Sequence, residues 1–375
     1  MYIQNKEVFM NRDKIIIKTS FIGIIFNIIL VIFKMIVGLI VGSIAIILDG
    51  VNNLTDTISS ISTIIGTKIA AKSPDYNHPY GHGRVEYFTS IFISFLIILL
   101  GLVSIKESVI KIINPTSTNY TFIALLVIAV ASLSKLIYGK YVKKIGKSIN
   151  SGSLIAVSLD AFMDALLTLS TLIAGILNML FKINIEGYLG IIISIVIIRS
   201  GVSIFKEAMD IIIGKRFDKK YTDKIKKFIN SYSEVINVCD LSLHNYGPNK
   251  TVGNVHVVIM DNVKASDIHA LERKISVDIY NRFDIFMTIG IYAYNSDDKS
   301  KKINEYLKNI IKEYSSIKQI HGFYVDYKNS TIYFDLIIDF DCSNKVDVKN
   351  IIIDKMKLKY PKYEFSVIID DDISD

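Results

Sequence analysis

Ser158-Leu159-Asp160-Ala161-Phe162-Met163-Asp164 lies inside an apolar run that extends from Ser153 to Phe181. Two carboxylates four residues apart share one face of a helix, and the run exceeds the ~20 mostly apolar residues needed to cross a bilayer. A second run, Ser43 to Ala70, carries Asp49, Asn52 and Asp56, with Asn52 and Asp56 again four apart. Four further runs of this kind extend approximately from Phe21 to Val41, Val85 to Val109, Phe122 to Tyr141 and Tyr188 to Ile213. Six transmembrane helices are therefore predicted before about Gly214.

Composition supports a membrane protein. Of 375 residues 51% are hydrophobic and 21% charged, with a mean hydropathy of +0.39, which excludes disordered, collagen-like and disulfide-rich chains. The net charge is +7, and in so apolar a chain this basic excess points to loops facing an anionic membrane surface, not to nucleic acid. Lys72 and Arg84, then Lys140, Lys143, Lys144 and Lys147, fall after the second and fourth runs. The positive-inside rule places both termini in the cytoplasm of a multi-pass cell-membrane protein. Cys239 and Cys342 form no metal-ligand spacing and fit a reduced compartment. No cleavable signal peptide is evident in Met1 to Ser20. Tryptophan is absent, which leaves tyrosine and phenylalanine for an interfacial belt.

From Lys215 the chain becomes charged and alternating. Period and turn signals predict helix Tyr221 to Ser233, strands Ile236 to His244 and Thr251 to Met260, helix Ala265 to Arg282 and strand Ile285 to Tyr294. The order αββαβ then recurs, with helix Ile303 to Tyr314, strands Ile317 to Tyr327 and Thr331 to Phe340, helix Val346 to Tyr360 and strand Tyr363 to Ile369. Val238-Cys239-Asp240 and Ile320-His321-Gly322 occupy equivalent places in the two repeats. The expected organisation is a six-helix domain over 1–214 and two tandem ferredoxin-like α+β modules over 215–298 and 299–375.

Each aspartate near mid-bilayer costs about 2.5–3.5 kcal/mol on insertion scales, so Asn52, Asp56, Asp160 and Asp164 are candidates for function. Two opposed faces of oxygen donors make a four-residue cage for a divalent cation. Three carboxylates there repel one another, so protons are expected to replace the cation when it leaves, which is the linkage of a proton antiporter. Asp49, three residues before Asn52 on the same face, is read as standing behind the ligands or as a gate. The structural alternative is hydrogen bonding between helices.

The sequence resembles the cation diffusion facilitators. The resemblance is carried by Gly42-Ser43-Ile44-Ala45-Ile46-Ile47-Leu48-Asp49-Gly50-Val51-Asn52-Asn53-Leu54-Thr55-Asp56, by His78-Pro79-Tyr80-Gly81-His82-Gly83-Arg84-Val85-Glu86, and by Ser158 to Asp164. It covers the six-span region and the first αββαβ module; the second module is not part of the usual family pattern. The resemblance implies a homodimeric carrier that exports a divalent metal in exchange for protons, has no resident cofactor, and ends in a metallochaperone-like cytoplasmic domain. It puts the transport site on Asn52, Asp56, Asp160 and Asp164. Zinc-transporting members commonly place histidine at one or more of these positions. All-oxygen ligands suit manganese better, so the chain looks like the manganese-exporting branch, with iron(II) and zinc as the alternatives.

Asp75, His78 and His82 are spaced to hold a loop metal, a role that similarity to zinc-binding members also implies, or to form a solvated turn. His256 and His269 match family positions for regulatory metal, but other ligand positions read Tyr292 and Tyr294, which weakens that site and favours ordinary surface histidines. His244 and His321 are expected to be structural. Lys34 and Arg199 lie within spans and need a partner or a route to the interface. A metal-sensing membrane receptor and an intramembrane aspartyl protease are the competing classes. No hydrolase, nucleotide-binding or nucleic-acid-reading motif is present.

Overall fold

The computed structural model describes residues 2–41, 44–114, 122–181, 185–248 and 250–371; within these, the side chains of 2–10 and 44–52, among others, fall outside the description. The chain divides into two compact units, Met1–Lys215 with Asn245–Lys250, and Arg216–His244 with Thr251–Asp375.

The first unit is helical, with α1 (Tyr2–Val41), α2 (Ile44–Ala70), α3 (Val85–Ile113), α4 (Phe122–Ser148), α5 (Gly152–Phe181) and α6 (Glu186–Ile213). Among the described residues, five of these are long and apolar enough to cross a membrane; α2, also 27 residues long, carries the polar set Asp49, Asn52, Asn53 and Asp56. The first helix starts well before the predicted Phe21. No glycine or proline precedes Gly23, so nothing in the backbone stops the helix, and its 40 residues make a rod about 60 Å long at 1.5 Å per residue. Arg12 anchors that extension: its guanidinium meets both oxygens of buried Glu86 on α3 at 2.9 Å and donates to the Ile149 carbonyl at 2.9 Å.

Helices α3 and α6 approach closely because small residues line their seam. A Cβ at Gly101 would sit 3.2 Å from the Ser194 carbonyl, and one at Gly201 would sit 3.2 Å from the Ser94 carbonyl. Lipid tails are as apolar as the helix surfaces, so such van der Waals contact supplies the association that hydrophobic exclusion cannot.

The second unit contains the predicted repeat. Its first module is α7 (Lys219–Ile229), β1 (Asn237–Asn245, whose last residue falls in the helical unit), β2 (Thr251–Met260), α8 (Ala265–Phe283) and β3 (Ile285–Tyr294); its second is α9 (Asp298–Ile311), β4 (Ile317–Asp326), β5 (Thr331–Ile338), α10 (Lys345–Lys359) and β6 (Glu364–Asp371). The sheets have order β1-β2-β3 and β4-β5-β6. In each the last pair is parallel, which requires the crossover helix that α8 or α10 supplies. Alternate residues of β2 and β5 enter separate cores: Val255, Val257 and Ile259 pack with Ile275 and Ile279, and Phe334, Leu336 and Ile338 pack with Ile352 and Met356. Each such buried side chain contributes about 1.5–3 kcal/mol. Asp240 (φ 54°) and Gly322 (φ 59°) are left-handed at equivalent places in β1 and β4, so the repeat extends to a local backbone distortion.

Candidate metal-transport site

The acid-bearing faces of α2 and α5 come together with α4. Asp160 and Asp164 are 5% and 3% exposed. Their four-residue spacing places both on one face of α5, as helical geometry requires. Asp160 accepts a hydrogen bond from Ser59 of α2 at 3.0 Å. Asp56, one turn before Ser59, lies with Asp160, Asn27 of α1 and Tyr138 of α4 around a cavity of about 10 Å³, about the least that admits one water. Beside Asn27 on α1, the Phe26 ring stacks on Tyr138 at 4.7 Å between centroids.

Lys135 of α4 is at the centre of this cluster and is 1% exposed. Its Nζ donates to Asp56 Oδ2 at 2.6 Å and also bonds Asp164 Oδ2. One ammonium thus joins the carboxylates of α2 and α5. No residue of α4 figures among the sequence-derived candidates. The signal that points to Lys135 is a charge well inside the apolar run Phe122 to Tyr141, the same kind of signal that singles out Lys34 and Arg199. Lys34 is also buried, at 1% exposure, whereas Arg199 is exposed on α6. Asp49 and Asn52 lie on α2, with side chains outside the described residues.

In the turn before α3, Asp75, His78 and His82 are brought together. His78 Nδ1 is 3.1 Å and His82 Nε2 3.4 Å from the two Asp75 oxygens, and the imidazole rings are 4.4 Å apart. Backbone hydrogen bonding from His78 holds the Asp75 carboxyl below its ordinary range. Asp75 and His78 are exposed, so this trio is open to solvent.

In the first C-terminal module His256 and His269 have different settings. His256 Nδ1 is 2.8 Å from Asp240 Oδ2 and its ring stacks on Tyr292 at 4.3 Å, while His269 stands exposed on α8. His321, expected to be only structural, reaches from the second module to Asp240 through Nδ1, and Cys239 lies beside them. Burial acts to raise the Asp240 carboxyl, but hydrogen bonds from His256 and His321 outweigh it and hold the group well below its usual range. Burial, reinforced by the Asp240 charge, pushes the Cys239 thiol up.

Inside the helical unit, acidic oxygens and one buried amine from three helices thus surround a small polar space. Residues 20–213 match the cation efflux transmembrane domain, and residues 217–291 match the cation efflux protein cytoplasmic domain. An uncharacterized transporter of Methanocaldococcus jannaschii is 33% identical over 71% of this chain and 93% of its own length. The manganese efflux system protein MneS of Bacillus subtilis is 29% identical over 71% of this chain and 88% of its own. A cadmium, cobalt and zinc/H(+)-K(+) antiporter of the same organism is 23% identical over 68% of this chain and 83% of its own. With a family model spanning more than half the chain and a relative one-third identical along nearly all of its own length, this protein belongs to the cation efflux, or cation diffusion facilitator, family of multi-pass membrane transporters.

Proposed function

We propose that the protein exports manganese(II) from the cytoplasm in exchange for protons, as a homodimer with both termini in the cytoplasm. The observation that carries this reading is the convergence of Asp56, Asp160 and Asp164 at one buried position in the helical unit. Carboxylate oxygens are hard donors that suit manganese, and no imidazole or thiolate accompanies them among the described residues, as zinc preference would favour. The likeness to MneS supports the same metal.

Lys135 has a defined part in this cycle. Two unit charges 4 Å apart interact by about 4 kcal/mol at an effective dielectric of 20, and an ammonium facing a divalent ion by about twice that. The lysine and the cargo therefore exclude one another. Metal entry drives the ammonium off Asp56 and Asp164, and metal departure lets it return beside protons, so the carboxylates never face one another uncompensated.

The competing metal is zinc, favoured by likeness to the cadmium, cobalt and zinc antiporter; iron(II) is the third choice. The test is a metal panel in proteoliposomes under an imposed pH gradient. Manganese should move protons in the opposite direction, and Asp56→Ala and Asp164→Ala should each abolish both fluxes. Zinc flux exceeding manganese flux would overturn the metal assignment. Metal flux that persists in both variants would overturn the site itself.

A further inference from the structure

A second group of metal-binding atoms lies in the C-terminal unit, remote in sequence from the transport helices. Cys239 and Asp240 are consecutive on β1, and consecutive residues of a regular strand point to opposite faces. The left-handed backbone at Asp240 breaks that alternation. As a result Cys239 Sγ, a carboxylate oxygen of Asp240 and a ring nitrogen of His321 all lie within 4.8 Å of one another.

The surroundings aim these atoms inward. Gln319 Oε1 is 2.7 Å from His321 Nε2. A proton donated there leaves Nδ1, the nitrogen facing Asp240, as the ligand atom. Fixing the distal imidazole nitrogen in this way is how metal-binding histidines are oriented. The second Asp240 oxygen is held by His256 at 2.8 Å, which leaves Oδ1 to face His321. Cys239 is 3% exposed, so its sulfur is shielded from bulk solvent.

We propose that Cys239, Asp240 and His321 bind one divalent cation of the zinc class and that this ion ties the two αββαβ modules of a single chain together. Thiolate and imidazole beside a carboxylate suit zinc or cobalt(II) and disfavour manganese, so this centre and the all-oxygen transport site select different ions. Water completes the tetrahedron. The match to the cation efflux cytoplasmic domain ends at residue 291, so His321 comes from outside it and the ligand set depends on the tandem module. Two neighbouring links already join the modules there: Tyr292 donates to Asp335 at 3.0 Å, and Asn295 exchanges hydrogen bonds with the Val325 backbone.

The chain's two cysteines allow a specific test. Full-length protein in detergent, stripped with chelator, is titrated with cobalt(II) and then zinc. Cobalt should give a thiolate-to-metal charge-transfer absorption that survives in Cys342→Ser and in the Asp56→Ala/Asp164→Ala background and disappears in Cys239→Ser. Zinc should displace the cobalt, and His321→Gln should weaken zinc binding by at least about tenfold, the lower bound for disturbing a metal centre's supporting groups. The proposal is overturned by absence of the charge-transfer band in wild-type protein, by its persistence in Cys239→Ser, or by unchanged zinc affinity in His321→Gln.

Discussion

Lys135 is the residue on which the proposed transport site turns. A buried ammonium without acids would be among the costliest groups in the helical unit, and three buried carboxylates without a cation would be costlier still. Together they are tolerated, through a 2.6 Å bond to Asp56 and a second bond to Asp164. Lys135→Gln removes the competing cation, so manganese binding should tighten by at least about tenfold, roughly 1.4 kcal/mol, while turnover falls because the cargo is no longer displaced. Binding titration set against flux separates the two effects, and weaker binding would show that the lysine only braces the helices. The acids themselves were legible in the sequence, since an aspartate in an apolar run is an anomaly with few explanations. Their counter-ion was not, because a long lysine side chain in a span reads equally well as reaching for the interface, and only packing shows which way it points.

At the scale of elements, helix limits followed local chemistry. Strands β2 and β3 have the bounds that alternation predicts, whereas α9 begins five residues before the predicted Ile303, at Asp298. The reason is a cap: Asp297 accepts from the Ser300 backbone N–H at 2.9 Å and from the Tyr327 hydroxyl at 2.6 Å. Slight burial opposes ionisation of Asp297, but the Tyr327 and Ser300 hydrogen bonds prevail and lower its pKa to about 2. A carboxyl lowered from its ordinary ~3.9 stabilises the fold fully above about pH 4 and ceases to do so as pH falls through 2. Protection of the amides in the first turn of α9, corrected for their intrinsic exchange rate, should therefore fall as pH drops between those values. Asp297→Asn, which caps without titrating, should flatten that dependence.

At the scale of the whole molecule, the notable feature is a C-terminal unit built from two modules with separate cores. Asn295 is 5% exposed and serves the Val325 N–H at 2.8 Å and carbonyl at 3.4 Å. Asn295→Ala strands both backbone groups, at a cost of about 1–3 kcal/mol. Exchange at the Val325 amide should rise while the amides of β2 keep their protection; equal loosening of both modules would instead mean that they unfold as one cooperative body.

The sequence by itself determined what local periodicity and cost can determine: helices long enough to cross a bilayer, two αββαβ repeats, and acids too expensive to lie in hydrocarbon without a purpose. Patterns of 3.6 and 2 residues are written along the chain, and so is the oddity of Asp160 and Asp164. Tertiary structure alone decided which charges meet. Lys135 is 79 residues from Asp56 and His321 is 81 from Asp240, and no local spacing encodes a partner that only the packing of separate elements brings within bonding distance.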